Sequence, residues 1–432
     1  MNTIFFAIVV LAFTFAGWQQ ITWIPVNGEL APMEALSKAM VESAAGSVEL
    51  ALGLVGVMTL FLGLVKVAEA GGMLTVLARL IRPLMVRLFP DVPADHPAMG
   101  AMILNMSANA LGLGNAATPF GIRAMQELDK LNPRRGTATD AMALFLAINT
   151  SSVTLLPTGV IALRAAAGST DPAGILPTTL FATMGSTAAA IAAAQIYRRF
   201  SARPKQAAVS HTLPVERPDN EGAEEQLPAA ARDGYPLWIS LMALGAMAAI
   251  VPLTILYGKT ISPWILPALM MGFLGFGVLR RVRIYEVFVE GAKEGFQVAI
   301  RIIPYLVAIL VAVGMFRASG ALETIVSWLG GWTTIVGLPA EALPMALMRP
   351  LSGSGAYGIL ASIINDPAIG PDSYTGYLVS TLQGSTETTF YVLAVYFGAV
   401  QVRRIRHTLA AALTADLTGL IFAIIACTYL YA

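Results

Sequence analysis

The feature of this chain that most constrains its fold is a set of interrupted hydrophobic segments that occurs twice. In each copy, short apolar arms run into small polar residues and glycines, and the same order of segments returns in the second half of the chain. The aligned segments are 69–72 with 318–321, 96–115 with 341–358, and 145–152 with 377–385. Hydrophobic segments that are broken at corresponding positions are typical of transporters built from internal repeats. The pattern therefore predicts a transporter-like fold with two related halves.

The composition agrees with a membrane protein. Hydrophobic residues make up 56% of the chain and charged residues 12%, which is about half the charged fraction of a soluble domain, and the mean hydropathy is +0.70. We expect an all-α polytopic membrane protein with about nine spanning helices plus two re-entrant hairpins, near 98–131 and 341–365, in an inverted-repeat arrangement. The predicted spans are 4–24, 47–68, 139–163, 174–197, 236–257, 262–279, 296–317, 374–400 and 407–431.

One long polar stretch divides the chain into three predicted parts. These are a first membrane half at 1–197, a polar cytoplasmic linker at 198–235 and a second membrane half at 236–432. Basic residues mark cytoplasmic loops, and all basic clusters fit one topology with the N-terminus inside and the C-terminus outside. Arginines flank the first copy of the repeat, whereas residues 318–348 contain no lysine or arginine. The matching segments are therefore predicted to enter from opposite faces, which makes the repeat inverted.

Both copies contain breaks that predict a solute site near the middle of the membrane. Glycines and prolines such as Gly112 and Pro350 should interrupt the hairpins, and irregular backbone at membrane depth survives only inside protein or beside water. Helix ends at such breaks bind polar or anionic atoms. The predicted substrate-binding residues are the polar side chains at these breaks: Asn105, Ser107, Asn109, Asn115, Asn149, Thr150, Ser151, Ser152, Ser352, Ser354, Gln383, Ser385, Thr386 and Glu387.

A structural interpretation of the same residues stays open. Small and hydroxyl-bearing residues in membrane helices also mediate close packing or bond back to their own helix, and for any one residue this is the more ordinary explanation. The recurrence of the clusters at aligned positions favours a site. An ionised carboxylate within a span costs several kcal/mol, so Glu387 must be protonated, paired or in a wet cavity. Glu387 is thus the first candidate for coupling to a proton or cation, and Asp416 is the second.

Several function classes are excluded or disfavoured by what the sequence lacks. The net charge of +1 argues against a nucleic-acid partner. Cys427 is the only cysteine and the three histidines have no metal-ligand spacing, so we expect no metal site, no cofactor and no disulfide within the chain. No nucleophile elbow or phosphate-binding loop occurs, and we expect no catalytic residues and no enzyme activity.

Four stretches of sequence resemble known families. ILNMSANALGLGNAATPFGIRAMQEL and FLAINTSSVTLLPTGVIALR resemble the spore maturation protein A family, whereas MRPLSGSGAYGIL and STLQGSTETTFYVLAVYFGAV resemble the spore maturation protein B family. The chain looks like a fusion, with A over roughly 1–200 and B over roughly 235–432. Both families belong to the nucleoside-recognition gate domain group, which is similar to the cores of concentrative nucleoside transporters and ferrous-iron transporters. The resemblance implies a multi-pass protein of the bacterial cytoplasmic (inner) membrane with a nucleoside-transporter-like core.

Two functions from different classes follow. The first is secondary transport of a small polar or anionic solute, nucleoside-like compounds included, through a midplane site between the two repeats. The second is a membrane assembly or regulatory protein of the spore maturation type that keeps the fold without flux. The expected partners are a small-molecule solute and the lipid bilayer, while a coupling proton or cation and a homo-oligomeric state stay open.

Overall fold

A computed structural model describes residues 2–24, 30–112, 117–201, 234–321, 324 and 333–432. These residues form fifteen α-helices, together with short 3-10 turns at Thr334–Val336 and Ala340–Ala342. In the first half the helices are α1 Asn2–Thr22, α2 Pro32–Ala70, α3 Met73–Leu88, α4 Pro97–Ala110, α5 Thr118–Lys130, α6 Asp140–Thr150, α7 Thr158–Ala166 and α8 Ile175–Phe200. In the second half they are α9 Leu237–Leu279, α10 Ile284–Ala318, α11 Leu343–Met348, α12 Gly353–Ile364, α13 Tyr374–Ser385, α14 Thr389–Ala399 and α15 Thr408–Tyr431.

The first aligned break of the repeat is present in both copies. Helix α2 ends at Ala70 and the chain turns through Gly72, whose φ is +86°. Helix α10 ends at Ala318 and turns through Gly320, whose φ is +71°. Both glycines therefore adopt the left-handed conformation that other residues avoid. In the first copy the bend between α2 and α3 reaches 69°.

Each predicted hairpin is a pair of helices joined by a break. Helices α4 and α5 pack against each other, and α4 begins at Pro97 after His96, whose Nδ1 accepts a hydrogen bond from the N–H of Ala98 at 3.1 Å. In the second copy, α11 and α12 are separated by residues 349–352, and Ser352 caps α12 by accepting from the N–H of Gly355 at 3.1 Å. The sequence therefore predicted the breaks correctly. That the pairs enter the membrane and return stays a prediction.

Two further helices are broken in the middle, as the polar clusters at 145–152 and 377–385 predicted. Helices α6 and α7 are separated by residues 151–157, and α13 and α14 by residues 386–388. The α6–α7 pair runs antiparallel to the α13–α14 pair, because the N-terminal end of each pair contacts the C-terminal end of the other.

Ion pairs join these ends. At one end, Arg406, which follows α14, lies with Nη1 2.7 Å from Oδ1 of Asp140, the first residue of α6. At the other end, Arg164 of α7 lies with Nη2 3.1 Å from Oδ1 of Asp372, just before α13. We call these contacts the Arg406 pair and the Arg164 pair. Corresponding segments of the two copies therefore run in opposite directions, as an inverted repeat requires.

Two buried cores hold the halves together. The first surrounds α4 and α6 and contains Met102 and Phe145 together with Tyr396 of α14. The second surrounds α12 and α13 and contains Leu360 and Leu378 with Ile161 of α7. Each core therefore takes side chains from both halves of the chain, so part of the apolar surface of each half is buried by the other.

The number of spans differs from the sequence-based expectation. Among the described residues, three helical stretches are long and apolar enough to cross a membrane, Phe5–Thr22, Ile175–Phe200 and Thr408–Tyr431, and a fourth results if the bent α2–α3 pair counts as one span. The expected count of nine is thus not confirmed.

Some predicted boundaries were also wrong. Residues 236–257 and 262–279 were predicted as separate spans, but α9 is one continuous helix from Leu237 to Leu279. The helix continues through the residues of the predicted boundary, Gly258 and Pro263 included. Likewise α8 continues to Phe200, into the predicted linker, whose residues 202–233 lie outside the described part of the chain.

Candidate functional site

The breaks of the two copies meet each other through backbone hydrogen bonds. Glu387, in the break between α13 and α14, donates its N–H to the carbonyl of Thr150 at the end of α6, at 2.8 Å. Each hairpin also bonds to the broken helix that follows it in sequence. Leu155 donates to the carbonyl of Ala110 at 2.9 Å, and Phe390 donates to the carbonyl of Pro350 at 3.1 Å. Four interrupted segments therefore converge, and some of the backbone N–H and C=O groups left unpaired at their helix ends form hydrogen bonds with one another.

In the first copy, three of the predicted asparagines form one buried network. Asn109 Nδ2 donates to Asn149 Oδ1 at 2.9 Å, and Asn149 Nδ2 donates to Asn105 Oδ1. Asn105 Nδ2 in turn donates to the carbonyl of Ala117 at 2.8 Å and to the hydroxyl of Tyr396 at 3.3 Å. The three amides are at most 9% exposed. They join hairpin α4–α5 to α6 and to α14, so the network crosses between the halves.

Several of the predicted hydroxyls bond to their own helix. Ser107 donates to the carbonyl of Ile103, Thr150 and Ser151 donate to that of Ala147, and Ser385 donates to that of Leu382, at 2.8 to 3.0 Å. This is the ordinary behaviour of hydroxyls in apolar helices. In this conformation these four side chains support the structural interpretation more than the binding one.

The second copy concentrates charge at its breaks. Arg349, between α11 and α12, is only 7% exposed. Its Nη1 donates to Thr388 Oγ1 at 3.2 Å and its Nη2 lies 3.9 Å from Glu387 Oε2. Asp416 of α15 is 9% exposed and accepts at Oδ2 from Thr389 Oγ1 at 2.7 Å. The predicted Glu387 therefore has a cationic neighbour, and its side chain is 46% exposed.

A cavity of about 190 Å³ opens beside these charges. Arg349, Asp416, Ser385 and Thr386 supply its polar wall. Its apolar wall comes from helices α11, α13 and α15 and the break after α11, through Ala346, Pro350, Leu382, Leu413, Leu417 and Leu420. Two of the predicted site residues thus line a cavity, although the lining lies within the second half of the chain.

The remaining predicted residues have mixed surroundings. Ser352 and Ser354 lie with their hydroxyls 3.4 Å apart at the start of α12. Gln383 is 4% exposed, and its Oε1 has no hydrogen-bond partner among the residues that the structure describes. Ser152 is buried, with its carbonyl accepting from Thr154 Oγ1 at 3.3 Å. Asn115 lies outside the described residues.

Sequence reasoning missed two participants, Arg349 and Tyr396. Arg349 stands one residue beyond the arginine-free segment 318–348 that was used to assign orientation, and a single arginine next to Pro350 in an apolar hairpin signals a buried charge. Tyr396 sits in the apolar run of α14 and carried no such signal. In the described part of the chain, no group of three or more histidine, cysteine, aspartate or glutamate side chains is arranged to hold a metal ion.

The Arg164 pair, which joins α7 to the residue stretch just before α13, closes one end of the broken helices. Arg164 is fully buried and donates to the carbonyl of Pro371 at 2.6 Å and to Asp372, with its guanidinium 4.1 Å from the centroid of the Tyr377 ring. Partial burial alone would raise the pKa of the Asp372 carboxyl. Hydrogen bonds from Ser169 and Thr170 and the charge of Arg164 outweigh that effect and hold this pKa below its usual range.

Comparisons with known proteins identify both copies of the repeat. The family model "Gate: Nucleoside recognition" matches residues 51–167 and 299–403, and each matched range contains a hairpin with its broken helix. Spore maturation protein B of Bacillus subtilis (strain 168) is 47% identical over 166 residues, which are 38% of this chain and 92% of that protein. Spore maturation protein A of the same organism is 41% identical over 191 residues, 44% of this chain and 92% of that protein. No solved structure matches the chain.

Proposed function

Because this chain belongs to the Gate family of nucleoside-recognition proteins and is a helical membrane protein, we propose that it is a secondary transporter of a small polar or anionic solute. The observation that carries the proposal is the bond from Glu387 N–H to the Thr150 carbonyl, where broken helices of opposite direction meet. Broken helices that meet in this way are a common construction for solute sites in transporters with inverted repeats. The proposal assigns no catalytic step and no cofactor.

The proposed site lies between the repeats, around the convergent breaks. The Asn105–Asn149–Asn109 network would supply amide donors and acceptors from one side, and the Arg349 cluster would supply charge from the other. Movement of the hairpin-bearing units against α1, α8, α9 and α15 would then expose the site to one side at a time. The Arg164 pair and the Arg406 pair close the two ends in the conformation described, so each would open in turn.

The domain organisation of the proposal is a fusion of two membrane halves. Spore maturation proteins A and B are separate proteins that each match less than half of this chain. We assign the A-like half to 1–197 and the B-like half to 236–432, joined by a linker at 198–235. The arginine clusters support a cytoplasmic position for the linker and the N-terminus at a bacterial inner membrane.

Cysteine labelling tests this orientation. In a Cys427→Ser background, a cysteine at Pro93 should react with a membrane-impermeant reagent from the cytoplasmic side and one at Pro339 from the outside. Labelling of both from one side would contradict the inverted arrangement in the membrane.

Solute flux into proteoliposomes tests the proposed transport directly. Purified protein should accumulate at least one radiolabelled polar solute above protein-free vesicles, with saturation, across a panel of nucleosides, amino acids and small carboxylates. No flux of any solute, together with normal folding, would favour the assembly or regulatory alternative, which fits the names of the two relatives.

Coupling is proposed at Glu387. The aligned position in the first copy, near Val153, carries no carboxylate. The carboxylate of Glu387 alone would therefore bind and release the coupled proton or cation. Glu387→Gln keeps the shape of the side chain and should remove the pH or cation dependence of flux while folding persists. Unchanged flux and unchanged ion dependence would reassign Glu387 to a structural role.

A further inference from the structure

The cavity beside α15 is lined by an aspartate and an arginine side chain with unused bonding capacity. Asp416 is 9% exposed, and its Oδ1 has no hydrogen-bond partner among the described residues, while Oδ2 accepts from Thr389. Arg349 is 7% exposed, and its Nε likewise lacks a partner within the described chain. Buried polar groups are normally bonded, and an unbonded one costs free energy. The two orphan atoms therefore point to a ligand that brings both a donor and an acceptor.

The existing contacts of Arg349 leave room for such a ligand. A guanidinium has five N–H donors, and the structure assigns one of them to Thr388. Arg349 Nη2 lies 3.9 Å from Glu387 Oε2, which is longer than a hydrogen bond. The Glu387 side chain is 46% exposed. An incoming carboxylate can therefore bind Arg349 without breaking a close ion pair.

Arg349 and Asp416 also determine whether a cation, an anion or a zwitterion fits the cavity. A simple cation would meet the repulsion of Arg349 in a setting where charges interact strongly, and a simple anion would leave Asp416 Oδ1 without a donor. A zwitterion, which has one anionic and one ammonium group, can bond to the side chains of Arg349 and Asp416 at the same time.

We propose that this cavity binds a small zwitterion, with its anionic group at Arg349 and its ammonium group at Asp416. The volume of about 190 Å³ lies below the range of about 300–1,000 Å³ that is usual for sites of drug-sized ligands. A solute of a few carbon atoms fits this space better than a nucleoside does. This inference rests on the proposed transport function and names its substrate class.

Calorimetric titration of the purified full-length protein in detergent tests the proposal without any flux measurement. The probes are glycine, β-alanine and 4-aminobutyrate, compared with ethylamine and propionate, which carry one charge each, and with uridine. At least one of the zwitterions should bind at least tenfold more tightly than either singly charged probe and than uridine. Equal binding of the singly charged probes, or binding of uridine alone, would overturn the proposal.

Matched variants locate the binding. Asp416→Asn and Arg349→Met should each weaken binding of the best zwitterion at least tenfold, because each removes a charge-assisted bond. The controls are Asp129→Asn and Arg82→Met, which change the same residue types at 9% exposure outside the cavity and should leave affinity within twofold. If an Asp416 or Arg349 variant fails to fold, the probe series on the unmodified protein still decides the outcome.

The two proposals fail in distinguishable ways. Zwitterion binding without flux would leave the site intact and remove the transport function. Flux of another solute, with no zwitterion binding at up to millimolar concentration, would leave transport intact and remove the inference.

Discussion

Asn149 occupies the centre of the buried amide network and has a partner on each side. Its Oδ1 accepts from Asn109 and its Nδ2 donates to Asn105. The network therefore depends on this one residue, whereas Asn105 keeps its bonds to Ala117 and Tyr396 without it. A buried network of this kind is stabilising only when every member is satisfied.

Asn149→Ala should destabilise the protein by about 3 kcal/mol, because it removes the partners of the Asn109 Nδ2 donor and the Asn105 Oδ1 acceptor, each at a cost of about 1–3 kcal/mol. Thermal unfolding in detergent measures the effect. Asn365→Ala is the comparison variant, since Asn365 is an exposed residue at the end of α12 whose amide donates to the carbonyl of Ala361. Equal losses in the two variants would show that the network adds no stability.

Asp372 should make the free energy of unfolding depend on pH in the acidic range. Because its pKa is held below the usual range in the folded protein, its ionised form stabilises the fold fully above about pH 4, the ordinary value for aspartate. That contribution is lost as the pH falls further, through the folded pKa.

Asp372→Asn leaves the buried Arg164 without its ionic partner, at a cost of about 3 kcal/mol near neutral pH. Melting curves between pH 3 and pH 7 should therefore show a gap between the parent protein and Asp372→Asn that narrows below pH 4. Asp95→Asn, at a fully accessible carboxylate (94% exposed), should show no comparable gap. A gap that stays constant down to pH 3 would contradict the assignment.

At the scale of elements, sequence patterns predicted the breaks better than the continuous helices. Glycine, proline and clusters of hydroxyls oppose helix formation locally, so the breaks near Gly72, Gly112 and Pro350 could be predicted from neighbouring residues alone. The starts of α2 and α10 and the continuity of α9 could not be predicted in this way, because an apolar window marks only the apolar part of a helix, whereas the backbone hydrogen bonds of the helix continue beyond it. The partners of Arg349 depend on contacts between distant segments, which no local pattern contains.

Gly112 provides a test of the first hairpin break. Its φ is +72°, and a Cβ there would clash with the carbonyl oxygen of Leu156, which is backbone and cannot rotate away. Gly112→Ala should therefore cost more than about 3 kcal/mol, from strain and displacement of the following break.

The comparison variant is Gly136→Ala. Gly136 also has a left-handed φ, +79°, but a Cβ there meets nothing within 4 Å, so the cost should be only the strain of about 1 kcal/mol. Thermal unfolding of the two variants separates conformational strain from the close approach. Similar losses would mean that the contact with Leu156 is unimportant.

At the scale of the whole molecule, the two cores tie the halves together. Tyr396 and Phe397 of the second half complete the core around α4 and α6, while Ile161 and Leu163 of the first half complete the core around α12 and α13. The resemblance to two separate relatives correctly predicted the membership of both halves in one family. It did not predict that each core would be shared.

A chain cut within the predicted linker 198–235 should accordingly assemble from its pieces. Co-expressed halves carrying different affinity tags should purify together, and either half expressed alone should aggregate or be degraded because its core is incomplete. A stable, monodisperse first half on its own would contradict the shared cores. The uncut chain with both tags is the control for recovery.

The Arg164 pair and the Arg406 pair are both ion pairs between arginine and aspartate. They differ in how accessible they are to water and dissolved salt. Arg164 is fully buried and faces an aromatic ring, with Asp372 31% exposed, whereas the side chains of Arg406 and Asp140 are 14% and 40% exposed. Dissolved ions screen the interactions of accessible charges, with a Debye length of about 8 Å at physiological ionic strength, and they screen buried pairs much less. Rising ionic strength should therefore weaken the Arg406 pair before the Arg164 pair, so the two ends of the broken helices differ in how strongly they respond to the salt content of the surrounding solution.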